Sequence, residues 1–321
     1  MSASQQRSVA VIMDPIEQIT PYKDTSLAMM LEAQRRGWRV EYLQQSDIYM
    51  RDGVVFAQRQ VVELFDDNDH WFNSLQAVDG PLSDVDLELM RKDPPVDDEY
   101  LYATYLLDRV AAAGTLVANP PDALRAVNEK LFAAGFSHCM APTLVTSNSQ
   151  RIRDFLAEHG DIILKPLNLM GGASIFRLTS GDPNVGVVLE HMTSLGSRSA
   201  MAQKFIPQIT EGDKRILVIG GEPVPFALAR IPAEGETRGN LAAGGRGVAV
   251  ALSDQDRWIV DQVAPTLIER GLLFVGLDVI GDYLTEINVT SPTCVRELDS
   301  QCDLNIAGTY FDCLEQALTG S

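Results

Sequence analysis

The segment 284–292, LTEINVTSP, alternates so that Ile287 and Val289 fall on one face and Glu286, Asn288 and Thr290 on the other. If the polar face meets water, this is an ordinary half-buried strand. If it meets a cleft, a carboxylate and a carboxamide two residues apart form an oxygen-rich edge suited to a hard cation. Upstream, 273–280 (LFVGLDVI) carries one acid, Asp278, among apolar residues. Burying an unpaired carboxylate is costly, so a partner cation is expected unless Asp278 is exposed. Asp278, Glu286 and Asn288 offer only oxygen ligands, which favours Mg²⁺ or Mn²⁺ over zinc. A two-residue turn at Gly281-Asp282 would pair Asp278 with Thr285. A shared site therefore needs a connection of odd length, such as a three-residue loop at 281–283, or a bulge.

Lys165 closes the apolar run DIILKP (161–166), and NLMGGAS (168–174) follows. A lysine at a strand end beside Gly171-Gly172 suits phosphate: the ammonium neutralises charge while backbone N–H groups approach closely. It is not a Walker loop, because the lysine precedes the glycines, and a plain inter-strand loop is the other reading. Further on, AQKFIP (202–207) reads as a strand ending in proline, with Gly212-Asp213-Lys214-Arg215 soon after. Its backbone groups can pair with a flat heterocycle, and a nearby Asp can bind ribose hydroxyls. An edge strand with a charged turn fits the same residues.

The elements that must position these groups begin with a βαβ rhythm. Strands are expected at 9–13, 38–43, 85–90 and 115–118. Helices are expected from Asp24 or Thr25 to about 36, with Gly37 as the stop, and over 97–113 and 121–134. That order implies a mostly parallel sheet covered by helices. Short strands then dominate, at 161–165, 174–178, 201–206, 215–219 and 223–229, with helices near 151–159 and 184–194. Gly220-Gly221 marks a hairpin turn. The loop 232–247 (PAEGETRGNLAAGGRG) carries five glycines in sixteen residues and no aromatic anchor. Loops of this kind are usually functional or disordered, and here a mobile lid is expected. Gly245-x-Gly247 lacks the third glycine and the strand–helix context of a dinucleotide fingerprint.

The 321 residues can bury a large core, and 44 acidic against 26 basic residues give a formal charge of −18. Such a surface repels phosphate backbones, so a nucleic-acid partner is not expected. No apolar run suggests a membrane span, and the start reads as a first core strand rather than a secretory signal, which points to the cytoplasm. The four cysteines and four histidines show no zinc spacing and no paired arrangement for nucleophilic catalysis.

Longer motifs are more specific. MDPI (13–16), LEAQRRG (31–37), MRKDPP (90–95), NEKLF (128–132), DIILKP, MGGASIFR (170–177), ARIP (229–232), ETRGNLAAGGRG (236–247), VGLD (275–278) and LTEINVTSPTC (284–294) run in order along the chain. Together they resemble bacterial glutathione synthetases, a family of ATP-grasp ligases. The resemblance implies an α/β fold, with α+β character in the lid: an N-terminal α/β domain (1–124), a central ATP-grasp lid (125–203) and a C-terminal platform (204–321). It implies that Lys130 and Lys165 contact nucleotide phosphates, that Gly171 and Gly172 belong to the phosphate flap, that Gln203, Lys204, Phe205 and Ile206 meet adenine, and that Asp213 meets the ribose. Asp278, Glu286 and Asn288 would hold Mg²⁺ or Mn²⁺, while Arg215, Arg230 and Arg238 would bind substrate carboxylates or stabilise developing charge. The implied reaction joins γ-glutamylcysteine and glycine at the expense of ATP, in a homo-oligomer that the family suggests is a tetramer. The family usually has Asp-Gly before Met-Gly-Gly, whereas this chain has Asn168-Leu169. A ligase for a different carboxylate and amine, or a nucleotide-binding protein without catalysis, remain the competing readings.

Overall fold

The computed structural model describes residues 6–233 and 245–320. Its first strand, β1 (Ser8–Ile12), is buried on both faces, as a continuous apolar run must be when helices cover the sheet. Asp24 caps α1 (Thr25–Arg35), accepting from the Leu27 N–H at 2.7 Å, and Gly37 past its end takes φ +78°. β2 (Arg39–Leu43) returns parallel to β1. Three strands outside the expected pattern come next: β3 (Ile48–Arg51), β4 (Val54–Leu64) and β5 (Phe72–Pro81). Asp52 and Gly53, both at positive φ, turn β3 into β4, and this hairpin extends the sheet antiparallel from β2. β6 (Leu87–Met90), α2 (Asp98–Ala112) and β7 (Leu116–Ala118) complete the parallel half, in the order β3-β4-β2-β1-β6-β7 with β5 on β4.

The expected single helix over 121–134 is two. α3 (Pro121–Ala126) ends where Val127 turns extended, and the Asn128 side chain then caps α4 (Glu129–Ala134). α4 packs along the platform, where Phe132 and Phe136 join its core. The segment 129–136, expected within the lid, therefore rests on the platform.

The lid is an antiparallel sheet formed by β8 (Thr143–Thr146), β9 (Asp161–Pro166), β10 (Phe176–Thr179) and β11 (Ala200–Lys204), in the order β10-β9-β11-β8. Two helices, α5 (Ser149–His159) and α6 (Val185–Thr193), close its own small core of Ile152, Leu156, Leu164, Leu178 and Leu189.

The platform sheet runs β15 (Arg246–Ala251), β14 (Phe226–Ile231), β12 (Asp213–Ile219), β16 (Phe274–Ile280) and β17 (Tyr283–Asn288), with the short β13 (Glu222–Pro223) paired to β12 across the Gly220-Gly221 turn. α7 (Asp254–Glu269) covers one face, before β16 and β17 form a hairpin. α8 (Val295–Cys302) and α9 (Ile306–Gly320) pack back onto the N-terminal unit. Of the glycine-rich loop, Arg246 and Gly247 belong to β15, paired with Ile231 and Arg230. Arg238 and the rest of 234–244, with the expected lid motion, lie outside the described residues.

Candidate active site

Alternation along four platform strands gathers the charged groups on one face. Asp213 and Arg215 come from β12, Arg230 from β14, Asp278 from β16, and Glu286 and Asn288 from β17. The opposite face, with Ile216, Val275, Leu277, Leu284 and Ile287, packs against Ile259 and Val263 of α7. The β16–β17 connection is a tight two-residue turn, not a three-residue loop: Ile280 pairs with Tyr283 and Val279 with Leu284. A bulge then displaces Thr285, so that Asp278 pairs with Glu286 and Gly276 with Asn288. The tight turn therefore does not remove Asp278 from the site.

Asp278 is 2% exposed and has its cationic partners. Arg215 donates from Nη2 to Oδ2 at 3.0 Å and from Nε to Oδ1, and the Arg230 Nη2 lies 2.9 Å from the same Oδ2. Burial alone would raise this carboxyl, but the two guanidiniums outweigh it and hold it at about 2. Gly276 makes the Arg215 approach possible. A Cβ there would meet Arg215 Cδ at 2.9 Å and Pro292 Cβ at 3.0 Å, so the guanidinium stem lies flat across a bare backbone. Asp213 pairs with Arg230 through Oδ2, while its Oδ1 is buried without a hydrogen-bond partner among the described residues. Burial pushes this carboxyl up to about 7 against the pull of Arg230. An orphaned acceptor at that point suits a hydroxyl donor.

Two clefts meet on this face. The first lies between lid and platform and is lined by Lys130, Lys165, Gly171, Gly172, Gln203, Lys204, Phe205, Ile206 and Asp213, with Glu286 at its inner end. β11 stops at Lys204 rather than Ile206; the Phe205 N–H still donates to the Asp161 carbonyl at 3.0 Å, and Ile206 follows it into this cleft. Phe205 is backed by Arg177, whose guanidinium sits 3.7 Å from the ring while forking onto Asp161. Lys165 is buried and 3.3 Å from Gln203 Oε1, and desolvation lowers its pKa. Lys130 donates to the Leu169 carbonyl at 3.0 Å and lies 3.4 Å from Glu286. In the flap, Gly171, Gly172 and Ser174 take positive φ, but Leu169 does not, so no glycine is required at the position where the motif departs from its family.

The second cleft opens between the platform and the N-terminal unit. Lys23, Asp93, Arg215, Arg230 and residues 290–294 line it, and it reaches the first cleft at Glu286, Met170 and Gly171. Both arginines face it with their charge already committed to Asp278 and Asp213. Glu129 was not singled out from the sequence. It contacts Lys130 and lines the second cleft, and its pKa is raised by burial and by Glu286. Its position in NEKLF beside Lys130 was the available signal. Asp278, Glu286 and Asn288 bring together two carboxylates and one amide, the donor types a hard cation takes, while the Asp278 oxygens accept from Arg215, Arg230 and the Asn288 Nδ2. No group of three or more His, Cys, Asp or Glu side chains is arranged to hold a metal among the described residues.

Family models match almost the whole chain: prokaryotic glutathione synthetase, N-terminal domain, over 8–125, and its ATP-grasp domain over 129–303. The chain belongs to the prokaryotic glutathione synthetase family. A glutathione synthetase of Pseudomonas aeruginosa is 56% identical over 97% of this chain and 98% of its own. One from Vibrio vulnificus is 55% identical over 97% and 98%. Among solved structures, D-cycloserine synthetase DcsG superposes with TM-score 0.69 at 14% identity, covering 97% of this chain and 99% of that one. The ATP-grasp ligase PsnB, complexed with a precursor peptide and AMPPNP, gives 0.63 at 18%, covering 97% and 98%. These two show the ATP-grasp fold. As a member of the glutathione synthetase family, the chain is an ATP-dependent ligase of glutathione synthesis. No helix among the described residues is long and apolar enough to cross a membrane.

Proposed function

We propose that the first cleft holds ATP and the second γ-glutamylcysteine, with glycine arriving where the two meet. The observation that carries this reading is the junction at Glu286, which lines both clefts and lies 3.4 Å from Lys130. A γ-phosphate delivered there faces a substrate carboxylate from the other side. That carboxylate attacks the γ-phosphorus, the bond to ADP breaks, and an acyl phosphate forms. The glycine amine then adds to the acyl carbon and phosphate leaves with its electron pair. Such transfer needs positioning and neutralised charge more than a protein nucleophile.

Lys130 and Lys165 would neutralise the phosphates, Gly171 and Gly172 would let the flap approach them, and residues 203–206 would border the adenine. The free Oδ1 of Asp213 would accept a ribose hydroxyl. Asp278, Glu286 and Asn288 would hold Mg²⁺ or Mn²⁺, which would supply neutralisation of phosphate charge. Arg215 and Arg230 would keep Asp278 ionised and line the carboxylate's approach, and Arg238 would bind a substrate carboxylate or stabilise developing charge. We also read the enzyme as cytoplasmic and homo-oligomeric, a tetramer by resemblance. The test is ADP release with γ-glutamylcysteine and glycine supplied together and singly. Turnover only with both supports the reading; equal turnover with neither overturns it.

A further inference from the structure

We propose that Asn119 is a positioning residue for ligation, splitting the end of the β16–β17 hairpin so that residues 289–294 turn into the dipeptide cleft. The inference rests on the reading of the second cleft given above. Asn119 comes from the N-terminal unit, just past β7, and is 5% exposed. Its amide spends all four hydrogen-bonding positions on the platform. Nδ2 donates to the carbonyls of Phe274 at 2.9 Å and Val289 at 2.8 Å, and Oδ1 accepts from the N–H groups of Leu273 at 2.9 Å and Phe274 at 3.1 Å.

Pairing between β16 and β17 ends at Gly276 and Asn288. Beyond that point the side chain of Asn119 stands between the two strands and takes the ladder bonds that Phe274 and Val289 would otherwise offer. The chain is thereby released from the sheet immediately after Asn288. What it becomes is the wall of the second cleft, from Thr290 to Cys294.

The same N-terminal unit holds that wall at further points. Arg91 donates from Nη2 to the Pro292 carbonyl at 2.9 Å while its guanidinium lies 5.6 Å from the Phe274 ring centroid. The Ser291 hydroxyl bonds Asp93 at 2.5 Å, and the Val295 N–H reaches Thr25 Oγ1 at 3.4 Å. The cleft wall is thus positioned by the domain across from the sheet that carries it. None of these ties lines the nucleotide cleft. A carboxylate at 119 would keep the acceptor side and set one lone-pair oxygen, in place of Nδ2, against both the Phe274 and Val289 carbonyls, releasing the loop.

Asn119→Asp should raise KM for γ-glutamylcysteine about tenfold or more, while the calorimetric Kd for ADP changes less than about twofold. Thr293→Val, within the wall itself, should also raise that KM. An unchanged dipeptide KM in folded Asn119→Asp overturns the inference. If Thr293→Val still raises KM, the cleft assignment survives alone; if neither variant moves it, the cleft assignment falls too. Equal losses for dipeptide and ADP would show a general structural role and also overturn it. Should Asn119→Asp fail to fold, Arg91→Lys, which loosens the same loop at Pro292, decides by the same split.

Discussion

Thr285 donates its hydroxyl to the Asp278 carbonyl at 3.1 Å, at the bulge that lets Asp278 stand directly across from Glu286. Without that extra residue the tight turn would place Thr285 opposite Asp278 and send Glu286 to the far face. The pairing of the two carboxylates is therefore a product of one irregularity in an otherwise regular hairpin.

Glu286→Gln keeps the shape of that pair and removes one charge. On the proposed reading Glu286 helps hold the cation that neutralises the phosphates, so ligase activity should fall by about two orders of magnitude or more with little change in Tm. Steady-state rates across a Mg²⁺ titration check this. Normal turnover at saturating Mg²⁺ would show that Glu286 holds no metal.

Gly276→Ala inserts a methyl group 2.9 Å from Arg215 Cδ and 3.0 Å from Pro292 Cβ. Overpacking of this kind costs about 1–3 kcal/mol. Displacing Arg215 also leaves Asp278 with Arg230 alone. Both Tm and kcat should drop; a Gly276→Ala variant with unchanged Tm and kcat would contradict the account.

In the flap, Gly171→Ala should weaken ATP binding more than Leu169→Gly does. Gly171 sits at φ +66°, where a Cβ costs about 1–2 kcal/mol, whereas Leu169 is not in the left-handed region. ATP KM values for the two variants provide the comparison.

Far from the site, Glu88 lies fully buried beside Arg59 and Glu41, with neither carboxyl oxygen hydrogen-bonded among the described residues. Burial raises its pKa well above 4.5 despite the pull of Arg59. The folded chain holds a proton that the unfolded chain releases. This contribution is fully present below about 4.5, and is lost as pH rises through the folded value. Glu88→Gln should therefore stabilise the protein at neutral and alkaline pH and flatten that part of the profile. Urea unfolding from pH 5 to 8 checks it; an unchanged slope would contradict it.

Much of this site was legible because motif and periodicity agreed. The alternation in LTEINVTSP put Glu286 and Asn288 on one face, and Lys165 and the paired glycines do line one cleft. The bulge was foreseen only as an option, since register depends on the whole hairpin rather than on its residues. Arg215 and Arg230 could be named as cations, but their convergence on Asp278 follows from β14, β12 and β16 being neighbours. The β3–β4 hairpin was missed although Asp52-Gly53 is a strong turn signal. Glu129 could have been found beside Lys130 in NEKLF; Asn119 was invisible for a different reason, since it acts across a domain boundary that no local pattern encodes.

The most direct test of the central claim follows the substrate oxygen. γ-Glutamylcysteine labelled with ¹⁸O in its cysteinyl carboxylate is turned over with ATP and glycine, and the released phosphate is analysed by mass spectrometry. If that carboxylate attacks the γ-phosphate at the junction beside Glu286, one labelled oxygen should appear in each phosphate formed. Phosphate free of label, with glutathione made at the normal rate, would contradict it.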